Sequence, residues 1–138
     1  MTLDVFVNKY NGKKVDFDGV FGAQCVDLVR KYWDEGLEIP EHTGACSTTG
    51  GAKDLFLDYD KMPLEKKYFK KIPKNKTFVP GDVVIWDSTE KNPYGHVAIY
   101  LGKLNESFIV FEQNGFEQTG AKITVRNKNN LLGALRKK

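Results

Sequence analysis

DFDGVFGAQCVDLVRKYW, residues 16 to 33, decides how the rest of the chain is read. Asp16, Asp18 and Asp27 alternate with Gly19 and Gly22, which let the backbone between them turn tightly. A hard cation such as calcium is held by carboxylate and main-chain oxygens together, so this alternation is a candidate metal loop. In the same stretch Cys25 stands where the irregular loop gives way to an apolar-periodic run. Val26, Val29, Tyr32 and Trp33 recur at helical spacing. A cysteine at a helix N-terminus sees the positive end of the macrodipole, which favours its thiolate. The stretch therefore predicts a nucleophile with a metal-binding loop running into it.

Working outward, Thr2 can cap a first helix with Leu3, Phe6, Val7 and Tyr10 on its apolar face, ending near Asn11-Gly12. The helix that begins at Cys25 should run to about Glu35, with Gly36 closing it as a C-cap. Residues 37–50, rich in Pro, Thr, Ser and Gly, read as an irregular connection. A third helix is expected from about Ala52 to Tyr59, burying Leu55, Phe56 and Tyr59. The pattern then changes to short β-branched or aromatic runs: Phe69–Ile72, Asp82–Asp87, His96–Leu101, Phe108–Glu112, Ile123–Arg126 and Leu132–Arg136. Turn signals such as Pro80-Gly81, Asn92-Pro93 and Asn114-Gly115 separate them. Helices first and strands afterwards predict an α+β fold, an antiparallel sheet packed on a helical N-terminal half.

The 138 residues suit one domain spanning 1–138, long enough to bury a core without staples. Hydrophobic content of 41% and aromatic content of 12% are globular values and exclude a disordered chain. The net charge of +3 is unevenly placed, with Lys61, Lys66, Lys67, Lys70, Lys71, Lys74 and Lys76 crowded in one segment. That run reads as a solvated face. No aromatic residues interleave with it as nucleic-acid stacking requires, so no nucleic-acid partner is expected. Cys25 and Cys46 allow one disulfide at most, and with two histidines they argue against structural zinc. Cys46 and His42, in the connection, are read as non-catalytic. The N-terminus has no secretory signal and no run approaches the roughly 20 apolar residues of a membrane span. The expectation is a soluble chain made in the cytoplasm that reaches any outside target by release or another export route.

Three polar stretches accompany the sheet. GDVVIWDS is mostly core and receives no chemistry. In GHVAIYLG, His96 opens a strand. In FIVFEQNG, the polar tail Glu112, Gln113 and Asn114 closes an otherwise apolar strand. Thiol catalysis needs a base near the sulfur and a third group to orient the imidazole. Cys25, His96 and either Glu112 or Asn114 can supply that set. A hairpin joined at residues 102–107 brings His96 near the polar tail, with Glu112 and Asn114 on one face and Gln113 facing away. Spacing alone does not place Cys25 beside them.

Taken in order, FGAQCVDLVRKYW, PGDVVIWD, GHVAIYLG and FEQNG resemble the CHAP family, the cysteine, histidine-dependent amidohydrolases/peptidases of phage and bacterial peptidoglycan hydrolases. The resemblance runs from about residue 3 to residue 136. It implies a papain-like α+β fold, with Cys25 as nucleophile, His96 as base and Glu112 orienting His96. It implies that Asn114 assists orientation or the oxyanion site. It also implies hydrolysis of a peptidoglycan amide through a thioester, by an N-acetylmuramoyl-L-alanine amidase or an endopeptidase acting as a monomer. A subset of the family carries a calcium loop before the cysteine. On that pattern Asp16, Asp18 and Asp27 give carboxylates, and Val20 and Gly22 give main-chain carbonyls, to a structural calcium ion. The loop resembles the first half of an EF-hand, with Asp27 where the glutamate at position 12 would stand. Two rival functions use the same residues: a wall-binding module without cleavage, and a thiol peptidase or deamidase acting on a protein.

Overall fold

The computed structural model describes residues 1–19, 22, 24–40, 42–44, 51–114 and 117–138. Helix α1, Leu3–Tyr10, begins where the Thr2 hydroxyl accepts the Val5 N–H at 3.3 Å. Its buried face is Phe6 and Val7, as the sequence pattern requires. Helix α2 runs Cys25–Lys31, and the Asp27 carboxylate accepts the Gln24 N–H at 3.0 Å, closing the start of the helix on itself. The chain then continues without a break into a π-helical turn, Tyr32–Gly36. Gly36 does not end it in a left-handed conformation as expected. A Cβ there would lie 2.7 Å from the Tyr32 ring, so the glycine is needed for close packing.

The third predicted helix is shorter and is followed by elements that the lysine-rich composition hid. Helix α3 is Asp54–Leu57, a 3₁₀ turn covers Tyr59–Lys61, and α4 is Pro63–Tyr68 with proline at its start. All six predicted strands are present: β1 Phe69–Pro73, β2 Val83–Trp86, β3 His96–Leu104, β4 Ser107–Glu112, β5 Lys122–Arg126 and β6 Leu131–Lys137. They form one antiparallel sheet in the order β1-β6-β2-β3-β4-β5.

Because side chains alternate along a strand, the sheet has two differently occupied faces. The inner face, with Val83, Ile85, Val97, Ile99, Phe111 and Leu135, packs against Phe6, Leu28, Val29, Tyr32 and Trp33 from the helices. The outer face carries a second cluster that includes Val84, Trp86, Ala98, Tyr100, Phe108, Val110 and Ala134, covered in part by Phe78. Central strand β2 is buried on both sides, which is why it reads as an unbroken apolar run. Phe6 joins the helices to the sheet, with its ring 5.1 Å from Tyr32 and 6.2 Å, edge-on, from Phe111.

Phe6 is fully buried, so Phe6→Ala should cost about 3–5 kcal/mol through lost transfer energy and the residual cavity. A denaturant midpoint that falls with an unchanged m-value checks this.

Candidate active site

The chain folds so that a helix start and a strand start meet. Trp86 and His96 are directly opposed where β2 and β3 pair, and their rings lie 5.9 Å apart. The residue before the histidine, Gly95, has φ +75, and a Cβ on it would come within 2.5 Å of the Trp86 carbonyl. Only glycine fits that approach. Asn92 secures the same loop, donating from Nδ2 to the Gly95 carbonyl at 2.8 Å and accepting the Tyr94 N–H at 3.0 Å.

His96, Glu112 and Arg126 share the outer face of β3, β4 and β5. His96 Nε2 lies 3.0 Å from Glu112 Oε1. The other ring nitrogen is thereby left for Cys25, which lines the cleft with His96 and whose thiol the histidine influences directly. Arg126 Nε donates to the same carboxylate oxygen, and its guanidinium stands 5.9 Å from the Trp86 ring. Glu112 is buried between two cationic groups. Burial alone raises its pKa, but the hydrogen bonds and charges of His96 and Arg126 prevail and hold it at about 2. For His96, burial lowers the pKa while the bonds to Cys25 and Glu112 raise it, and the net shift is upward. Burial pushes the Cys25 thiol up, yet the His96 bond and charge, with backbone bonds from Val97 and Val26, bring it below its ordinary value. All three shifts favour a thiolate beside an imidazolium, in which the sulfur is ready to attack.

Gln113 fixes the position of the Cys25 helix start. Its side chain faces away from His96, as predicted, and is fully buried. Its Oε1 accepts the Val15 N–H at 2.8 Å, while Nε2 donates to the carbonyls of Val15 (2.7 Å) and Gln24 (2.8 Å). One amide on β4 thus fixes both flanks of the acidic loop. Asn114 lines the cleft beside the histidine, and its Oδ1 accepts the Glu117 N–H at 3.3 Å.

The cleft has a volume of about 1000 Å³. It is lined by Cys25 and His96 together with Trp86, Asp87 and Tyr94, and by Asn127, Asn129 and Asn130. GDVVIWDS therefore does contribute to the site, through Trp86 and Asp87, although Val83 to Ile85 are core as read. His42 is exposed, and Cys46 lies outside the described residues.

Behind Cys25, Asp16, Asp18 and Asp27 each bring a carboxylate oxygen within 4.8 Å of the others. Two oxygen ligands about 2.4 Å from one calcium ion are at most that far apart, so the separations meet a condition that one ion sets. Burial first, then the charges of Asp18 and Asp16, raise Asp27 to about 6. Arg30, 3.6 Å from Asp18, offsets part of the crowding. Gly22 is half-buried in the same loop, while Val20 lies outside the described residues.

Residues 14–114 match the CHAP domain family. The chain belongs to that family. A D-alanyl-L-alanine endopeptidase of Streptococcus phage B30 is 30% identical over 104 residues, which is 72% of this chain and 21% of that protein. The crystal structure of a wild-type endolysin, LysIME-EF1, gives a TM-score of 0.72 at 28% identity and covers 99% of this chain and 64% of that one. The structure of Ly7917 shares the fold with a TM-score of 0.67 at 17% identity, covering 96% of this chain and 60% of that one. This chain thus spans about a fifth of the phage enzyme and under two thirds of each of these two structures. The papain-like α+β architecture expected from the sequence is the one found.

Arg126 was missed in the sequence. Only the pairing of β4 with β5 puts it on the face of Glu112, and no local pattern carries that pairing. An acid held near 2 when folded and near 4.5 when unfolded stabilises the fold at neutral pH. That contribution is complete above the unfolded value and fades as pH falls towards 2. The stability gap between wild type and Glu112→Gln should be on the order of 3 kcal/mol at pH 7 and should close as pH drops below about 4.5. Urea midpoints from pH 7 to pH 3 check this, and a constant gap would show that Glu112 is not held ionised.

Proposed function

We propose that this CHAP domain is a peptidoglycan hydrolase that cuts an amide bond of the cell wall by cysteine catalysis. The observation that carries the reading is the set of Cys25 and His96 on the wall of an open cleft, with buried Glu112 3.0 Å from the histidine. The phage endopeptidase and endolysin relatives support the choice of wall over protein as substrate. In the first half of the reaction the Cys25 thiolate attacks the amide carbonyl carbon. The Cys25 backbone N–H, at the first turn of α2 and so without an intrahelical acceptor, faces the developing oxyanion. The His96 imidazolium gives its proton to the departing amine, the C–N bond breaks, and a thioester remains. His96 then takes a proton from water, the hydroxide attacks the thioester, and the C–S bond breaks to release the acid and restore the thiolate–imidazolium pair. Glu112 fixes the ring throughout and Asn114 assists its orientation. The domain works as a monomer and reaches the wall after release or export.

Calcium belongs to the same proposal. Asp16, Asp18 and Asp27 would hold it together with the Val20 and Gly22 carbonyls. Bound there, it supplies charge neutralisation that fastens the loop to the start of α2. Its role is structural.

One turbidity experiment on purified peptidoglycan separates these claims. Wild type should clear it, while Cys25→Ala should lose at least about 1000-fold in rate. Clearing by Cys25→Ala would overturn the thiol mechanism, and no clearing on several wall types would overturn the wall substrate. Chelator should lower both rate and melting temperature, and Asp16→Asn should abolish calcium's effect on melting. A melting temperature indifferent to calcium would overturn the metal assignment.

A further inference from the structure

The outer face of the sheet carries a second hollow, of about 150 Å³, at the opposite end of an aromatic row from the cleft. Its floor is Phe78, Tyr100 and Phe108, with ring centroids 5.2 to 6.0 Å apart. Phe108 also lies 6.3 Å from Trp86, so one ring connects the hollow to the wall of the cleft. Around the rim stand Lys74 and Lys76 from the turn after β1, Lys103 near the end of β3, and Lys128 after β5. Lys128 pairs with Glu106 at 3.3 Å. The other three make no ion pair among the described residues. The lysine run of the sequence is therefore not uniform: the fold takes two of its members and adds two from distant segments.

Gathering like charges over an apolar floor is unfavourable unless an anion lies among them. We propose that this hollow docks the phosphodiester backbone of an anionic cell-wall glycopolymer, holding the domain beside its substrate. The occupant's identity rests on the wall reading above. Its chemistry follows from the rim, because ammonium groups suit phosphate as point charges. The floor argues against nucleic acid. The three rings are only 4–7% exposed, so they offer no faces on which bases could stack. Lys128 continues directly from Asn127, which lines the cleft, so the hollow and the cleft share one stretch of chain.

The test uses the full chain with soluble poly(glycerol phosphate) as probe, in a titration across salt concentrations. Wild type should bind with a salt-dependent affinity. Lys74→Gln/Lys76→Gln/Lys103→Gln should bind at least tenfold more weakly and with a shallower salt slope. A second triple, Lys61→Gln/Lys66→Gln/Lys67→Gln on the 3₁₀ turn and α4, makes the same change in net charge and should bind as wild type. Equal losses in the two triples would overturn the site in favour of general attraction. Equal binding of inorganic phosphate, or tighter binding of single-stranded RNA, would also overturn it. Cys25 alkylation and melting temperature, unchanged in the first triple, show that the fold and the catalytic pair are intact. Failure of docking therefore leaves the hydrolase reading untouched, and failure of hydrolysis leaves the binding result readable.

Discussion

Everything the site does depends on one buried amide. Gln113 takes both hydrogen bonds of Val15 and the carbonyl of Gln24, so the two ends of the segment from Val15 to Gln24 are tied to the end of β4. Without that tie, α2 would still pack its Leu28 and Val29 on the sheet, but nothing would set its N-terminus against His96. The burial is affordable because each polar atom of the side chain is satisfied. An apolar residue of similar shape would leave a backbone donor and two acceptors unpaired inside the protein, at about 1–3 kcal/mol each.

The same logic governs the electrostatics. A carboxylate with almost no exposure is expensive unless cations compensate it, and Glu112 has two, His96 and Arg126. The arrangement is more than a stability device. Arg126 keeps Glu112 ionised even when His96 is neutral, so the acceptor that orients the imidazole is present in both protonation states of the ring. A lone His–Glu pair would lack that security. Trp86, beside both cationic groups, excludes water from one side of them.

The elements were legible where periodicity is strong. Helix α1 and the six strands follow from alternation and turn residues, and Cys25 at a helix start was readable because loop signals end there. What escaped notice shares one cause, that the deciding contact lies far away in sequence. The π-helical turn arises because Gly36 must pack on Tyr32. Helix α4 is hidden by lysines, yet its Glu65 is buried and accepts the Gly44 N–H at 2.7 Å. Gln113 was correctly turned away from the histidine. That it faces Val15, 98 positions earlier, is a fact of tertiary structure no window contains. Arg126 and Asp87 are only the last residues of predicted strands until the sheet order brings them to the cleft.

The sheet order also explains why function collects on the face away from the helices. The inner face is filled by α1, α2 and the π-helical turn, and no cleft can open there without losing the main core. Among the described residues Phe78 and its neighbours cover part of the outer face, and hollows open at its ends. At one end the strand starts carry His96 and the cysteine reaches over from α2. At the other, lysines from separate strands and turns close around the aromatic floor. A row of packed rings joins the two, and packed rings transmit position without flexing. Anything bound at the basic end would therefore sit at a fixed offset from Cys25.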